Sequence, residues 1–315
     1  MNFRTNIKLQ KERNQIDYNS KLVLIGSCFS ENISEKLKYF KFQTFSNPFG
    51  ILFNPIAIEN LILNAIHIKK YSENDTFLLN ERWHCFDAHS DISSSTQNQL
   101  LQNLNSAIEE TQRQLKNASH IIITLGTAWV YRFIETNSIV GNCHKVPQKK
   151  FLKEMLSVDE TSTSLQNICA LIKDINPTVT IIFTVSPIRH LKDGFVENTQ
   201  SKAHLIAAIH QIIDLKNQLL YFPSFEIMLD DLRDYRFFAN DMLHPNETAI
   251  NYIWEQFKHV WIDEKTAPIL KEVDSIQKGI AHRPFNEKAE QHQQFLKTLQ
   301  HKIKELQTSI PTINF

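Results

Sequence analysis

Three residues have the types and spacing to do chemistry together: Ser27, Asp241 and His244. Ser27 stands in Gly26-Ser27-Cys28-Phe29-Ser30, after the apolar run Leu22–Ile25 and before the helix-like stretch Glu31–Leu37. The order strand, glycine, small nucleophile, helix sets a hydroxyl or thiol at the carboxyl end of a strand. There the unpaired amides of a first helical turn face a ligand. Ser27 is therefore read as the nucleophile of an acyl hydrolase. A serine hydroxyl is a weak nucleophile near neutral pH and needs a base. Asp241 and His244, three residues apart in a loop entering a helix, supply one. The carboxylate orients the imidazole, and the other ring nitrogen faces the hydroxyl. Taken singly, Ser27 also reads as a helix N-terminal residue, and the Asp241–His244 pair as loop residues beside a cap. Together they follow the first and the last strand, at the carboxyl ends where parallel sheets hold ligands. Cys28 is the rival nucleophile, since a helix N-terminus acidifies a thiol. Its other reading is a small buried apolar residue. Neighbours in such a turn point apart, so only one of the pair faces His244.

Positioning these groups requires a sheet. Apolar and β-branched runs predict five strands at 21–25, 42–45, 121–125, 179–185 and 221–228, with a weak edge strand at 3–10. Helices are predicted at 30–39, 55–69, 96–117, 159–175 and 198–218, and another after Asn246 as N-cap. Strands alternating with helices give an α/β fold around a mainly parallel five-stranded sheet. Residues 71–95 read as irregular, and 128–145 as a hairpin insertion. The stretch 46–118 is too long for a plain connection and is expected to form an inserted sub-lobe over the site. From 262 to 315 the composition turns to Lys, Gln, His and Glu, with Ile280, Phe295, Leu296, Leu299, Ile303 and Leu306 at helical spacing. This helical C-terminal extension either packs on the domain 1–261 or serves as a homo-oligomer contact.

Lys+Arg and Asp+Glu both number 34 in 315 residues, so the net charge is zero, which argues against a nucleic-acid surface or a polybasic membrane anchor. Cysteines 28, 85, 143 and 169 lack a CxxC spacing and fit a reducing compartment. A polar N-terminal stretch and the lack of any run of ~18 apolar residues predict neither secretion nor a membrane span, hence a cytoplasmic protein. The adjacent pairs His84-Cys85 and Cys143-His144 do not converge as zinc ligands do. Neither a metal nor another cofactor is expected.

Glycine-serine after the first strand, together with Asp-x-x-His after the last, resembles the SGNH (GDSL-like) hydrolase superfamily. The match is closer to its GSCFA-domain family, whose leading motif stands here as Gly26–Ser30. Asn47-Pro-Phe-Gly50, Thr124-Leu-Gly-Thr-Ala-Trp129, Asn142-Cys-His144, Ser186-Pro-Ile-Arg-His190 and Asp241-Met-Leu-His244 look like the same family, over about residues 20–260. The resemblance implies a three-layer α/β/α fold and hydrolysis of acyl esters, with Ser27 as nucleophile, His244 as base and Asp241 as its orienter. Two departures stand out. The superfamily has aspartate after the glycine where this chain has Ser27. Its third block, GxND, supplies an asparagine to the oxyanion, where this chain has Ala128 in Gly126-Thr127-Ala128-Trp129. A lost oxyanion donor costs ~3 kcal/mol in the transition state. The expected donors are therefore the backbone N–H of Ser27 and of Gly50, with Asn142 first and Thr127 second as the replacing side chain. His89, Arg189, His190 and Trp129 are the expected substrate-binding residues; for Arg189 the other reading is a salt bridge to Asp230, Asp231 or Asp234. The resulting expectation is a serine esterase acting on a small acyl ester, with an acetylated sugar suggested by analogy. The alternatives are a degenerate hydrolase fold that binds a carbohydrate or a protein, and an acyltransferase to a sugar hydroxyl.

Overall fold

The structure is a computed structural model that describes residues 5–315. In chain order its elements begin with β1 (Lys21–Gly26), α1 (Cys28–Tyr39), β2 (Gln43–Ser46), α2 (Pro55–Ile66), β3 (Phe77–Leu79), β4 (Arg82–His84), α3 (Gln97–Asn117) and β5 (His120–Leu125). They continue with β6 (Trp129–Phe133), β7 (Ser138–Val140), β8 (Phe151–Met155), α4 (Val158–Ile175), β9 (Thr180–Val185), α5 (Phe195–Ile212) and β10 (Leu219–Tyr221). The last are α6 (Ser224–Glu226), running into a π-helical turn at Ile227–Leu232, then α7 (Glu247–Trp261), α8 (Ala267–Ala281) and α9 (Glu290–Ser309).

The central sheet is five-stranded, in the order β10-β9-β5-β1-β2, and every pairing in it is parallel. Successive side chains of a strand face opposite sides, and the sheet is apolar on both. Val23, Ile25, Ile121, Ile123, Ile181 and Phe183 pack with Ile58 of α2, Leu104 of α3, Leu165 of α4 and Leu205 of α5. Leu22, Leu24, Ile122 and Ile182 pack with Ile33 and Leu37 of α1 and Trp254 and Phe257 of α7. Helices thus cover both faces, as a buried parallel sheet requires. The C-terminal helices extend the second layer: Val273, Ile276, Leu299 and Leu306 share its core, and Tyr39 Oη donates to Asp274 at 2.8 Å.

After β1 the chain moves outward to β2, then returns to lay β5 on the other side of β1. Strand order reverses between β1 and β5, so a crevice opens at their carboxyl ends, where such sheets bind ligands. Gly26 and Thr124 are register partners there.

Several expectations change. The fifth strand is Leu219–Tyr221, and residues 224–232 are helical, not extended. Phe222 N makes a last bond to Phe183 O; Ser224 Oγ then turns inward to Val185 O at 2.8 Å, and Ile227, Met228 and Leu232 bury one helical stripe. The insertion after β5 is a three-stranded antiparallel sheet, β7-β6-β8, in place of a plain hairpin. Residues 71–95 hold the β3–β4 hairpin. Of the weak strand at 3–10, residues 3 and 4 lie outside the described residues, and 5–10 form no strand. The stretch 46–118 contributes α2 and α3 to the helical layer itself, and its remainder carries the β3–β4 hairpin and the loop of His89. Asn246 caps α7 as expected, accepting from Ala249 N at 3.0 Å. Among the described residues no helix is long and apolar enough to cross a membrane.

Candidate active site

The first component is the turn from β1 into α1. Gly26 has φ +142, and a Cβ there would lie 2.1 Å from Thr124 O, so only glycine fits. The turn is bonded on both sides: Ser27 N donates to Thr124 O at 3.0 Å, and Gly26 N to Asn47 Oδ1 at 2.9 Å. This accounts for Asn47-Pro-Phe-Gly50. Asn47 splints the end of β1, and Gly50, at φ +70, gives His89 room: a Cβ there would lie 2.5 Å from His89 Cβ. Ser27 is the N-cap of α1 and fully buried, its Oγ accepting from Phe29 N at 3.4 Å. Cys28, the first residue of α1, is half-buried. Burial pushes its thiol up, against the pull of its own amide, the Phe29 amide and the Lys202 charge; Glu31 adds to the rise.

The second component gathers where β5 and β9 end. Lys202 of α5 is 2% exposed and donates to Gly126 O at 2.6 Å and Ser186 O at 2.7 Å. Burial brings its ammonium down to about 7. Ser201 beside it bonds Ala128 N at 2.8 Å and shares a hydrogen bond with Thr127 Oγ1 at 3.0 Å. Next to them stands His190. The position of a Cβ on Gly126 is 3.3 Å from Ser27 Cβ and 3.4 Å from His190 Nε2, so these two side chains flank the same glycine. Burial first, then the Lys202 and His244 charges, lower His190 to about 3. Its ring is therefore neutral at neutral pH, and its buried Nε2 has no hydrogen-bond partner among the described residues.

The third component is the loop into α7. Asp241 Oδ2 and His244 Nδ1 are 2.6 Å apart, and Asp241 Oδ1 accepts from Leu243 N at 2.9 Å and His244 N at 3.0 Å. Those amide bonds, then the imidazole, hold the carboxyl down to about 2. An ionised carboxylate only accepts, so Nδ1 carries the proton, and in the neutral ring Nε2 is left as a base. Met242, at φ +60, makes the tight turn between them. Arg189 N donates to Leu243 O at 3.2 Å, and the Arg189 guanidinium lies over Phe238 at 4.2 Å and Tyr235 at 5.2 Å. Ser186–His190 therefore ties the Asp241 loop to the exit of β9. Arg189 stacks on rings where an ion pair was the other reading; Asp234 pairs with Arg236. The His244 side chain is 48% exposed and makes no hydrogen bond with Ser27 Oγ.

Of the expected oxyanion donors, the two backbone amides are bonded inside the fold. Ser27 N–H goes to Thr124 O and Gly50 N–H to Asn47 O at 2.8 Å. Thr127 Oγ1 bonds Ser201 and accepts from Trp129 N. Asn142 Oδ1 caps His144 N at 2.8 Å and accepts from Ser90 Oγ at 3.4 Å, which gives the residue a turn role through its oxygen and leaves its Nδ2 donor outside these bonds. His144, lowered to about 4 by burial, anchors the 85–90 loop through Cys85 O at 2.7 Å and Ser90 Oγ at 3.1 Å. The Ala128 methyl is buried in the core. Trp129 lies in β6 under the Lys153 ammonium, 4.5 Å from its ring centre. His89 and His190 flank Phe53, with ring centres 6.4 and 5.7 Å from it.

Lys202 was absent from the sequence reading. Its signal was present: Asn198, Ser201 and Lys202 continue the Leu205, Ile209, Ile212 stripe of α5, placing three polar groups on a buried helix face.

No curated protein gives a significant match to the chain. Residues 273–315 match the GSCFA domain protein, C-terminal domain. Residues 21–257, three-quarters of the chain and the span that holds all three components, match the GSCFA family, to which the protein belongs.

Proposed function

We propose that this protein is an acyl hydrolase of the SGNH type that cleaves small acyl esters, with an acetylated sugar as the favoured substrate class. The observation that carries the reading is the Asp241–His244 pair at 2.6 Å, with Nε2 free to take a proton. Its loop is bonded through Leu243 O to Arg189 N at the exit of β9, and the next residue, His190, flanks the same glycine, Gly126, as Ser27. In this reading His244 takes the proton of a nucleophile from the Ser27–Cys28 pair, and Asp241 stabilises the imidazolium. An acyl-enzyme forms, and water activated by His244 releases the acid. No cofactor takes part. Four unpaired cysteines suit the cytoplasm, where we place the protein.

A panel of p-nitrophenyl esters from acetate to octanoate tests this. We expect turnover that is highest for the short chains and falls about a thousandfold in His244→Ala. Turnover unaffected by His244→Ala would sink the reading.

A further inference from the structure

We propose that His190 donates its Nε2–H to the oxyanion formed at this site, supplying the side-chain donor that the chain lacks at Ala128. The inference rests on the acyl-hydrolase reading and adds a catalytic residue to it. Backbone amides of the turn and of its neighbours are spent. Ser27 N is bonded to Thr124 O, Gly50 N to Asn47 O, and Gly126 N and Thr127 N to Phe53 O; Phe29 N and Ser30 N close on Ser27 itself. His190 Nε2 is not spent: it is buried and has no hydrogen-bond partner among the described residues. A Cβ on Gly126 would lie 3.4 Å from it and 3.3 Å from both Ser27 Cβ and Phe53 O. The glycine leaves that place open between the hydroxyl-bearing residue and the imidazole. Phe53 O already accepts from Gly126 N at 2.7 Å and Thr127 N at 3.1 Å, so both its lone pairs are taken and it does not claim the ring proton. A carbonyl oxygen bordering the space favours an N–H there over a lone pair.

The donor is also held in place. His190 N donates to Asn198 Oδ1 at 2.9 Å, and the ring stands nearly perpendicular to Phe53, with centres 5.7 Å apart. The residue before it is tied to the His244 loop through Arg189 N and Leu243 O. A donor fixed before the reaction costs no reorganisation when charge develops. Burial, with the Lys202 and His244 charges, brings the ring down to about 3. It is then neutral near pH 7 and too weak a base to take a hydroxyl proton. A neutral imidazole still donates one hydrogen bond, so His190 serves as donor and His244 as base.

The steps balance as follows. Ser27 Oγ bonds to the ester carbonyl carbon, its proton passes to His244 Nε2, and the π electrons move to the carbonyl oxygen. That oxygen accepts from His190 Nε2–H. The carbonyl reforms, the C–O bond to the alcohol breaks, and the imidazolium of His244 gives its proton to the leaving alkoxide. Water then attacks the acyl-enzyme, its proton going to His244 and the new oxyanion again accepting from His190. The bond to Ser27 Oγ breaks, the acid leaves, and Oγ recovers its proton from His244.

Steady-state kinetics with p-nitrophenyl acetate test this in His190→Phe, which keeps a ring and removes the donor, and in His190→Gln, which returns an N–H near the same place. We expect His190→Phe to lose about a hundredfold or more in kcat with KM near that of the wild type, and His190→Gln to regain about tenfold of it. A folded His190→Phe with wild-type kcat, or a His190→Gln no better than it, overturns the inference. So does a loss in Asn142→Ala that His190→Phe does not share, which gives the oxyanion to Asn142 Nδ2. If His190→Phe does not fold, the wild-type protein decides: in a crystal structure of its adduct with a p-nitrophenyl phosphonate, a phosphoryl oxygen should lie within about 3.1 Å of His190 Nε2. An adduct whose phosphoryl oxygens bond elsewhere overturns the inference and leaves the hydrolase reading standing. Neither turnover nor adduct in the wild type overturns both.

Discussion

The turn at Gly26–Cys28 and the loop at Ala239–Pro245 stand at the same edge of the sheet, yet one is bonded to two strands and the other largely to itself. In the turn, Gly26 sits against Thr124, Ser27 N is bonded across to β5, and Asn47 clasps β1 from the far side. In the loop, the Asp241 carboxylate bonds Leu243 N, His244 N and the His244 ring, and Ala239 N closes on His244 O at 2.7 Å. Its bond to the sheet side is Arg189 N to Leu243 O, with the Arg189 guanidinium stacked below. The turn that holds Ser27 is thus built into the fold. The Asp241–His244 pair, the base in the proposed reading, is assembled locally, from residues close in sequence, and is half exposed. On the proposed reading the pair and the turn would come together only with substrate bound, as hydrogen bonds of catalytic sites often do.

Substitutions at the two ends should therefore fail differently. The largest effect belongs to Gly26→Ala, which sets a methyl 2.1 Å from Thr124 O at a backbone angle that alanine avoids. We expect about 4 kcal/mol of lost stability in urea unfolding; a loss under about 1 kcal/mol would show the turn to be pliable. Asp241→Asn should do the reverse, lowering kcat about a thousandfold by loss of ring orientation and leaving the urea midpoint near that of the wild type. The pH profile sharpens this. Asp241 titrates below its ordinary 3.8, so its stabilising bonds are complete above that value and are lost as pH falls toward about 2. The pair is therefore intact throughout the neutral range.

Lys202 separates the ends in another way. Its folded value, about 7, lies below its ordinary 10.5, so between these the unfolded chain holds more protons than the folded one. Stability then rises with pH across that window. Denaturant unfolding from pH 6.5 to 10 should show that rise in the wild type and a flatter profile in Lys202→Met. An equal slope in both would mean that the ammonium keeps its charge through its two carbonyl bonds. The smallest effect is that of Ser27→Ala. It removes an N-cap and should cost about 1 kcal/mol in the same assay.

What was legible in the chain and what was not follows from how local each interaction is. Strands β1, β5 and β9 were readable because strands buried on both faces leave continuous β-branched runs. The Asp241–His244 pair was readable because three residues of separation suffice to join them. The end of the fifth strand was not, since Tyr221–Met228 is apolar enough for either state. Ser224, bonding Val185 O across the sheet, sets the helix there. Lys202 was hidden because a lysine in an otherwise apolar helix face reads as a solvated end. Its partners, Gly126 O and Ser186 O, are 76 and 16 residues away.

The sequence by itself determined which chemistry is on offer: a hydroxyl and a thiol at a strand-to-helix turn, an imidazole with its carboxylate, and a membership in the GSCFA family written in its motifs. It also determined the layered α/β architecture through the placement of its apolar runs. That the Ser27 side chain and amide are bonded inside the turn, and which lysine lies beside it, were decided by the tertiary structure alone. Each depends on what the neighbouring strand offers. Thr124 O takes the Ser27 amide, the turn buries its hydroxyl, and Gly126 O and Ser186 O hold the Lys202 ammonium.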